Sequence, residues 1–216
     1  MPCNCCTPSL AGTNKFFSRT ARRYAKRYRK KGLAKEQRYI IEGIPSESVP
    51  SSTILDIGCG VGMLHLTLLQ KGAESAAGID IARGMIDEAK KLGTELNLAD
   101  KSTYTNGDFL QLQESVTAAD ITLLDKVVCC YEEVDKLVTD SLKKTRKIYA
   151  LTFPKPNRLV KMSFSVPILV GKLLRWSFHP YWHDWNAILG TIERAGFEQI
   201  YDNSTIVWAV HVFRRK

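Results

Sequence analysis

A short apolar run that ends in three closely spaced glycines constrains this chain more than any other feature. Residues 54–62 read ILDIGCGVG, so a buried strand is followed at once by a turn. Gly58, Gly60 and Gly62 permit that turn to be tight and leave bare backbone against which a ligand can lie. In a parallel sheet such a turn stands at the carboxyl end of the first strand. The sequence therefore predicts a ligand site at this edge.

The rest of the chain alternates between short β-branched runs and helical patterns, which is typical of βαβ units and a mostly parallel sheet. After the last helix, two further runs are separated by Asn203 and Ser204, which predicts a hairpin turn. The fold class is therefore predicted to be α/β. The predicted strands are 53–57, 76–80, 102–105, 120–125, 147–152, 197–202 and 205–213, and the predicted helices are 14–31, 62–71, 82–96, 132–143 and 182–195.

The chemistry of the glycine-rich turn separates two classes of nucleotide ligand. A dinucleotide fingerprint requires a third glycine three residues after the second, and that position holds Met63. Asp56 stands two residues before the first glycine, and a carboxylate aimed at the ligand repels a pyrophosphate and attracts a cation. S-adenosylmethionine carries a sulfonium and an ammonium group and no phosphate. A nicotinamide oxidoreductase is therefore disfavoured, and a cationic nucleoside is favoured.

Further segments agree with this interpretation of the turn. The second strand ends at Asp80, which lies 24 residues after Asp56, and this spacing suits a carboxylate that accepts both ribose hydroxyls. The other segments are NGDF at 106–109 after the third strand, ADITLLD at 119–125 as the fourth strand, and RAGF at 194–197 before the closing runs.

On these residues the chain, from about Thr53 onward, resembles the class I S-adenosylmethionine-dependent methyltransferases. The resemblance implies a Rossmann-like three-layer sandwich with seven strands in the order 3-2-1-4-5-7-6 and an antiparallel edge hairpin. It implies S-adenosyl-L-methionine as cofactor and S-adenosyl-L-homocysteine as product. It also implies an acid, Asp108, near the adenine amino group, and Asp125 near the transferred methyl group. The residues expected to bind the cofactor are Asp56, Gly58, Cys59, Gly60, Asp80, Ile81, Gly107, Asp108, Phe109 and Asp125.

Methyl transfer is an in-line displacement that depends on alignment and requires neither a covalent intermediate nor a metal. A phenolic acceptor must also lose a proton, and the candidates to receive it are His179, His183 and Asp125. For the two histidines, surface residues or a chance pair is the favoured interpretation, whereas Asp125 fits equally well as the partner of Lys126. Because no third ligand accompanies the histidines, no metal site is predicted.

Six cysteines and the lack of a secretory signal pattern predict free thiols in a reducing, cytoplasmic compartment. Residues 3–6 read CNCC, where a soft-metal site is the alternative to plain thiols. Cys129 and Cys130 follow Val128 and not the proline expected of cytosine methyltransferases, so a packing role is favoured. DKVV at 125–128 also departs from the (D/N)PP(Y/F) signature of base amino-methyltransferases, which argues against DNA as the acceptor.

The basic charge of the chain lies almost entirely in one segment. Residues 15–38 hold eleven Lys and Arg against one acid, Glu36, a local charge of +10, whereas the rest of the chain sums to −1. Phe17, Tyr24 and Tyr28 share one face of the predicted helix. Three interpretations stay open: a nucleic-acid arm, a cap whose cations meet an anionic substrate or a membrane surface, and a solvated helix packed on the core.

These observations divide the chain into a disordered tail over 1–13, a basic helical cap over 14–45 and a methyltransferase domain over 46–216, with an insert at about 153–181 as an acceptor-binding lid. The layout is loosely similar to methyltransferases of quinone precursors and Mg-protoporphyrin. The resulting prediction is an enzyme that methylates a small, apolar or anionic molecule, on oxygen in preference to nitrogen. The alternatives are an RNA methyltransferase and a non-catalytic module that binds S-adenosylmethionine.

Overall fold

The computed structural model describes residues 8–163 and 180–216, which form a seven-stranded sheet with helices on both faces. The strands are β1 Thr53–Ile57, β2 Ser75–Asp80, β3 Ser102–Asn106, β4 Ala119–Asp125, β5 Thr145–Pro154, β6 Phe197–Ser204 and β7 Trp208–Arg215. The helices are α1 Pro8–Lys31, α2 Lys35–Gly43, α3 Met63–Gln70, α4 Arg83–Glu95, α5 Phe109–Leu112, α6 Val134–Lys143 and α7 Trp185–Arg194.

The strand order is β3-β2-β1-β4-β5-β7-β6. Strands β1 to β5 pair in parallel, and β7 pairs antiparallel with both β5 and β6. The predicted fold class, strand order and edge hairpin are therefore confirmed. This order reverses direction between β1 and β4, and in an open α/β sheet the crevice at such a switch point is where ligands bind.

Adjacent residues of the central strands send their side chains to opposite faces of the sheet, as strand geometry requires. Ile54 and Leu123 belong to one apolar cluster, whereas Leu55 and Leu124 belong to the cluster on the other face. All four side chains are buried. Because both faces are covered by helices, these strands are apolar at nearly every position, which is why they were recognisable in the sequence.

Helix α1 lies along α4 and joins the N-terminal segment to the sheet domain. Ala21 and Ala25 are fully buried on this face, and the hydroxyl of Ser18 accepts a hydrogen bond of 3.0 Å from the backbone N–H of Gly84. A Cβ added to Gly84 would lie 2.8 Å from the carbonyl oxygen of Ser18, so the two helices meet at backbone distance. Gly32, with φ of +64°, separates α1 from α2.

Most boundaries differ from the predicted ones by a few residues, and two of these differences change the description of a segment. Helix α1 begins at Pro8 and not at residue 14, so the last part of the predicted tail is helical. The β6–β7 turn falls at 205–207 and not at Asn203 and Ser204, which still pair with β7. The Asn203 side chain bonds within the strand, and Thr205 closes the turn by donating to the carbonyl of Trp208.

The predicted insert is described only over its first residues, 153–163, and its last two, 180–181. Residues 158–163 are helical and follow directly on β5. His179 lies outside the described residues. None of the helices in the described ranges is long and apolar enough to cross a bilayer.

Candidate active site

A cavity of about 330 Å³ opens at the carboxyl edge of the parallel strands, against the ends of β1, β2 and β4 and beneath α1 and α2. Its lining is mainly apolar, with polar and charged groups at a few positions. The polar and charged lining residues are Thr13, Tyr24, Arg27, Gln37, Asp56, Cys59, Asp80, Asp125, Lys126, Cys129, Cys130 and Tyr131.

The glycine-rich turn forms one wall of the cavity through its backbone. Gly58, Gly60 and Gly62 all have positive φ, between +55° and +84°, a region that side chains rarely occupy. No atom lies within 4 Å of a Cβ built on Gly60, so open space stands above this residue. The N–H groups of Gly58 and Cys59 donate to the carbonyl of Ile79, at 2.7 and 3.0 Å. These two donors are therefore not available to a phosphate.

Asp80 connects the glycine-rich turn to the end of β2. Its Oδ2 accepts a hydrogen bond of 2.8 Å from the N–H of Gly60, and its Oδ1 accepts one of 2.7 Å from the N–H of Ala82. Burial raises the pKa of Asp80 to about 6, although these two hydrogen bonds favour the ionised form. A carboxylate has about four lone-pair sites. Two of them thus remain for donors in the cavity, which Asp80 lines.

A buried hydrogen-bonded chain stands behind Asp56, and it was not among the features predicted from the sequence. The Nδ1 of His65 lies 2.8 Å from the Oδ2 of Asp56, and its Nε2 lies 3.1 Å from the hydroxyl of Tyr104. His65 is fully buried, and burial raises the pKa of Asp56 while the His65 hydrogen bond opposes that rise. A Cβ on Gly62 would lie 2.9 Å from the Nε2 of His65. The third glycine of the turn therefore makes room for this imidazole.

At the other end of the cavity, α2 contributes two side chains to the end of β4. Gln37 donates a 2.8 Å hydrogen bond from its Nε2 to the Oδ2 of Asp125. The Oδ1 of Asp125 is buried and has no hydrogen-bond partner among the described residues. Lys126 pairs with Glu36 at 2.6 Å and lies over the ring of Trp208 at 5.3 Å. Burial opposes its charge, yet Asp125 and Glu36 hold the pKa of Lys126 above its usual value.

Lys126 also has an unusual backbone conformation. Its φ is +62°, a left-handed value that costs a residue with a side chain on the order of 1 kcal/mol or more. Such positions persist where the surrounding structure fixes them. Here the carbonyl of Thr152 accepts the Lys126 N–H, and the ion pair with Glu36 holds the ammonium.

Most of the residues expected to bind a cofactor line the cavity together. The exception is Asp108, whose carboxylate caps α5 by accepting from the Leu110 N–H and accepts a 2.7 Å hydrogen bond from the hydroxyl of Tyr131. The expected residues that line the cavity are Asp56, Gly58, Cys59, Gly60, Asp80, Ile81, Gly107, Phe109 and Asp125.

The candidate base His183 does not line the cavity. Its Nε2 lies 2.8 Å from the carbonyl oxygen of Tyr131, a contact in which the ring donates. Burial lowers the pKa of His183. Both facts favour a neutral ring that holds Tyr131 in place, so of the three predicted candidates Asp125 alone is found in the cavity within the described ranges.

Cys59, Cys129 and Cys130 are free thiols that line the cavity. Burial raises the pKa of Cys59 well above its usual value, and the contact with Cys129 together with burial does the same for Cys130. A thiol is a poor nucleophile when its pKa is raised. Over the described residues, no group of three or more His, Cys, Asp or Glu is arranged to hold a metal ion.

A seven-stranded sheet of this order, with a glycine-rich turn after β1 and carboxylates at the ends of β1, β2 and β4, defines the class I methyltransferase fold. Residues 54–147 match the family model described as "Methyltransferase domain". These residues thus match a methyltransferase domain, and the strand order is that of the class I methyltransferase fold, as the resemblance inferred from the sequence implies.

Curated relatives match part of the chain only. The ribosomal protein L11 methyltransferase of Shewanella sp. (strain W3-18-1) is 28% identical over 109 residues, which cover 50% of this chain and 36% of that protein. The aklanonic acid methyltransferase DauC of Streptomyces sp. (strain C5) is 47% identical over 55 residues, which cover 24% of this chain and 25% of that protein. The matches therefore span about a third or less of these relatives.

Solved structures match over nearly the whole chain. The magnesium protoporphyrin IX methyltransferase (ChlM) of Synechocystis PCC 6803, crystallised with bound S-adenosylmethionine, is 19% identical with a TM-score of 0.72, and the match covers 99% of this chain and 100% of that one. An O-methyltransferase family 2 protein of Planctomyces limnophilus DSM 3776, in complex with apigenin, is 14% identical with a TM-score of 0.66, covering 92% and 62%. At these identities the likeness concerns the fold.

Proposed function

We propose that this chain is an S-adenosylmethionine-dependent methyltransferase that methylates an oxygen atom of a small acidic molecule. The single observation that carries the proposal is the cavity itself. It has the carboxylates of Asp56 and Asp80 at one end and Arg27, Lys126 and Asp125 at the other, beside an apolar wall. When bound, S-adenosylmethionine supplies a methyl group activated by a positively charged sulfur. The chain's own residues have to bind the two molecules, align them and exclude water.

The carboxylate end of the cavity fits the cofactor. Asp80 keeps lone pairs free for two ribose hydroxyls, and the open space above Gly60 accommodates the methionine part against bare backbone. Gly107 and Phe109 would flank the adenine. Asp108 would act there indirectly, because its hydrogen bond fixes Tyr131, a lining residue. Asp56 gives the cavity a further negative charge, which suits a cationic ligand.

The opposite end of the cavity fits an anionic, partly aromatic acceptor. Tyr24 and Trp208 supply ring surfaces and Arg27 supplies positive charge, whereas the ammonium of Lys126 is already paired with Glu36. Arg27 has a planar fork of donors that matches a carboxylate. An acceptor carboxylate attacks without losing a proton, and a phenol has to lose one.

We assign Asp125 as the group that accepts the proton of a phenolic acceptor. Its Oδ1 is buried without a partner, and a buried oxygen in that state gains a hydrogen bond when a hydroxyl enters the cavity. Gln37 occupies the other oxygen, Oδ2, and so fixes the direction in which Oδ1 points. The described lining offers no imidazole, and His183 would serve only to position Tyr131.

The small-molecule proposal has support from relatives whose names mention small acceptors, namely aklanonic acid and magnesium protoporphyrin IX. The ribosomal protein L11 methyltransferases point instead to a macromolecular acceptor. We favour the small acceptor because α1 and α2 cover the cavity and limit its volume to about 330 Å³. The three free thiols that line it fit the cytoplasm, the compartment expected from the sequence.

Calorimetric titration with S-adenosylhomocysteine tests the cofactor part of the proposal. Wild type should bind it and should not bind NAD, and Asp80→Ala should weaken binding by about 1–3 kcal/mol through loss of charge-assisted hydrogen bonds. Asp100→Ala, an exposed acid at the opposite edge of the sheet, is the matched control and should leave the affinity unchanged.

The acceptor part of the proposal is tested by measuring transfer of a labelled methyl group from S-adenosylmethionine to a panel of aromatic carboxylic acids, phenols and amines. Ribosomal RNA and ribosomal protein are tested as acceptors in separate reactions. Transfer to an acid or a phenol supports the proposal, and Asp125→Asn should slow only the phenols. Transfer confined to RNA or to protein contradicts it. Tight binding of S-adenosylhomocysteine without transfer to any arm would identify a non-catalytic binding module.

A further inference from the structure

Helix α1 carries a continuous cationic surface that faces solvent. The helix has nine Lys and Arg and no acid in 24 residues. All nine are exposed, while Ala21 and Ala25 on the opposite side are buried against the domain. Among the described residues only Arg29 of this set forms an ion pair, with Glu95. The members of this surface are Lys15, Arg19, Arg22, Arg23, Lys26, Arg27, Arg29, Lys30 and Lys31.

This surface is unfavourable for the isolated protein. Like charges four residues apart on a helix repel one another. Arg19 and Arg23 form such a pair, as do Arg22 and Lys26, and Lys26 and Lys30. If α1 only packed on the core, acidic residues at some of these positions would make the helix more stable. An anionic partner removes the repulsion, so the charge pattern points to a ligand with many negative groups.

The same edge of the domain exposes large aliphatic side chains. Ile206 is 89% exposed in the β6–β7 turn, and Leu159 and Met162 are 74% and 61% exposed just after β5. The backbone N–H of Lys155 donates to the carbonyl of Val207, so the turn and the end of β5 lie side by side. These residues stand at the carboxyl edge of the sheet, where the cavity opens.

The first half of α1 reaches this edge as well. The N–H groups of Arg83 and Gly84 donate to the side chains of Asn14 and Ser18, and α4 begins directly after the carboxyl end of β2. Phe17, on the next face of α1, lines the cavity. The cationic helix therefore lies on one side of the cavity opening, near β2, and the aliphatic side chains lie on the other, near β5 and β7.

We propose that this edge binds the surface of an anionic lipid bilayer. Cations on α1 meet lipid headgroups, and Leu159, Met162 and Ile206 enter the interface between headgroups and acyl chains. Phe16 and Tyr24 on α1 are 46% and 36% exposed, and such rings suit a bilayer interface as well as stacked bases. The more exposed aliphatic side chains have no use in base stacking, so they favour lipid over RNA. The binding brings the cavity opening to the membrane surface. It does not depend on methyl transfer.

Vesicle flotation with the full chain tests this proposal. We expect wild type to float with vesicles of phosphatidylcholine and phosphatidylglycerol in equal parts, and not with phosphatidylcholine alone. The triple variant Arg19→Gln, Arg23→Gln, Lys26→Gln should bind about 100-fold more weakly, since each cation near such a surface contributes about fivefold. Added salt should weaken wild-type binding. The three positions are exposed and their mutual repulsion is removed, so the variant should unfold at or slightly above the wild-type temperature.

Two further variants complete the experiment. Lys71→Gln, Lys101→Gln, Arg146→Gln removes the same charge from exposed positions at the opposite edge of the sheet and should bind like wild type. Ile206→Ser should weaken vesicle binding severalfold at constant charge. Equal loss in both triple variants overturns the proposal, as does binding to phosphatidylcholine alone. Retention on a structured RNA without binding to either vesicle identifies a nucleic-acid surface and overturns it too.

Discussion

The amide of Gln37 and the carboxylate of Asp125 are joined by a hydrogen bond of 2.8 Å, which ties α2 to the end of β4 across 88 positions of sequence. Gln37 is 3% exposed, and its Oε1 also accepts the N–H of Ala34 at 3.1 Å. One side chain thus holds the start of α2 and the end of a central strand together.

Replacement of this amide should destabilise the protein. Gln37→Ala removes the hydrogen-bond donor to Asp125, which then keeps only its ion pair with Lys126, and leaves the Ala34 N–H without its acceptor. We expect a loss of about 1–3 kcal/mol in the free energy of unfolding. Urea unfolding followed by circular dichroism measures it. Gln70→Ala, at an exposed position in α3, is the control and should change little. An equal loss in both variants would show that the hydrogen bond adds no stability.

Cofactor affinity should depend on pH through Asp80. Because burial raises the pKa of Asp80 to about 6, the carboxylate takes up a proton below that pH and loses its capacity to accept both ribose hydroxyls. The dissociation constant of S-adenosylhomocysteine should rise about tenfold for each pH unit below 6. Calorimetry between pH 5 and pH 8 measures this slope, which Asp80→Asn should remove and Asp100→Asn should not.

The stability of the ligand-free protein should depend on Asp80 in the opposite sense. A pKa that is higher in the folded state means that the protonated group stabilises the fold. That contribution is fully present below about pH 4 and is lost as pH rises through 6, with a size of about 3 kcal/mol. Comparison of wild type with Asp80→Asn in urea at several pH values isolates it. A difference that is constant with pH would refute the assignment.

Replacement of His65 should lower the free energy of unfolding more than replacement of the Tyr104 hydroxyl, although both residues belong to one hydrogen-bonded chain. His65→Ala leaves the buried Asp56 without its partner, which costs about 3–5 kcal/mol. Tyr104→Phe removes one hydrogen bond and keeps the ring, which costs about 1 kcal/mol. Chemical denaturation measures both. A larger loss for Tyr104→Phe would mean that the carboxylate does not depend on the imidazole.

Two glycines of the turn should respond differently to the same substitution. Gly60→Ala and Gly62→Ala both place a side chain at positive φ, which costs about 1–2 kcal/mol. Only Gly62→Ala also meets the Nε2 of His65, at 2.9 Å, and overpacking adds about 1–3 kcal/mol. Thermal unfolding should rank the two. Gly60→Ala, whose methyl enters the cavity, should weaken S-adenosylhomocysteine binding more than it weakens the fold.

The sheet was predictable because strands covered on both faces are apolar at nearly every position, and the turns between them contain glycine or an acid. The predicted position of the β6–β7 turn was wrong by a few residues. Asn203 and Ser204 are residue types that favour turns, but here the Asn203 side chain forms hydrogen bonds within the strand. Turn propensities do not include this hydrogen bond. It forms because Asn203 and Tyr201 lie on the same face once the segment is a strand.

The site was predictable where a residue follows a strand directly, as Asp56, Asp80 and Asp125 do. Gln37 was missed because its partner is distant in sequence and no periodicity links them. His65 was missed although a signal existed: it is a single histidine within the apolar helix MLHLTLLQ, and a helix that is apolar all round is buried. A buried histidine needs partners for both nitrogens.

The two ends of the cavity are encoded by separate stretches of the chain. The end proposed for the cofactor is built from residues between Asp56 and Phe109, within the segment matched by the family model. Part of the opposite end, namely Phe17, Tyr24 and Gln37, comes from helices that precede that segment. These two sets of residues can therefore change independently during evolution. In the proposed enzyme, substitutions in the first two helices would exchange one acceptor for another while the cofactor end stays intact, so relatives with the same glycine-rich turn need not share a substrate.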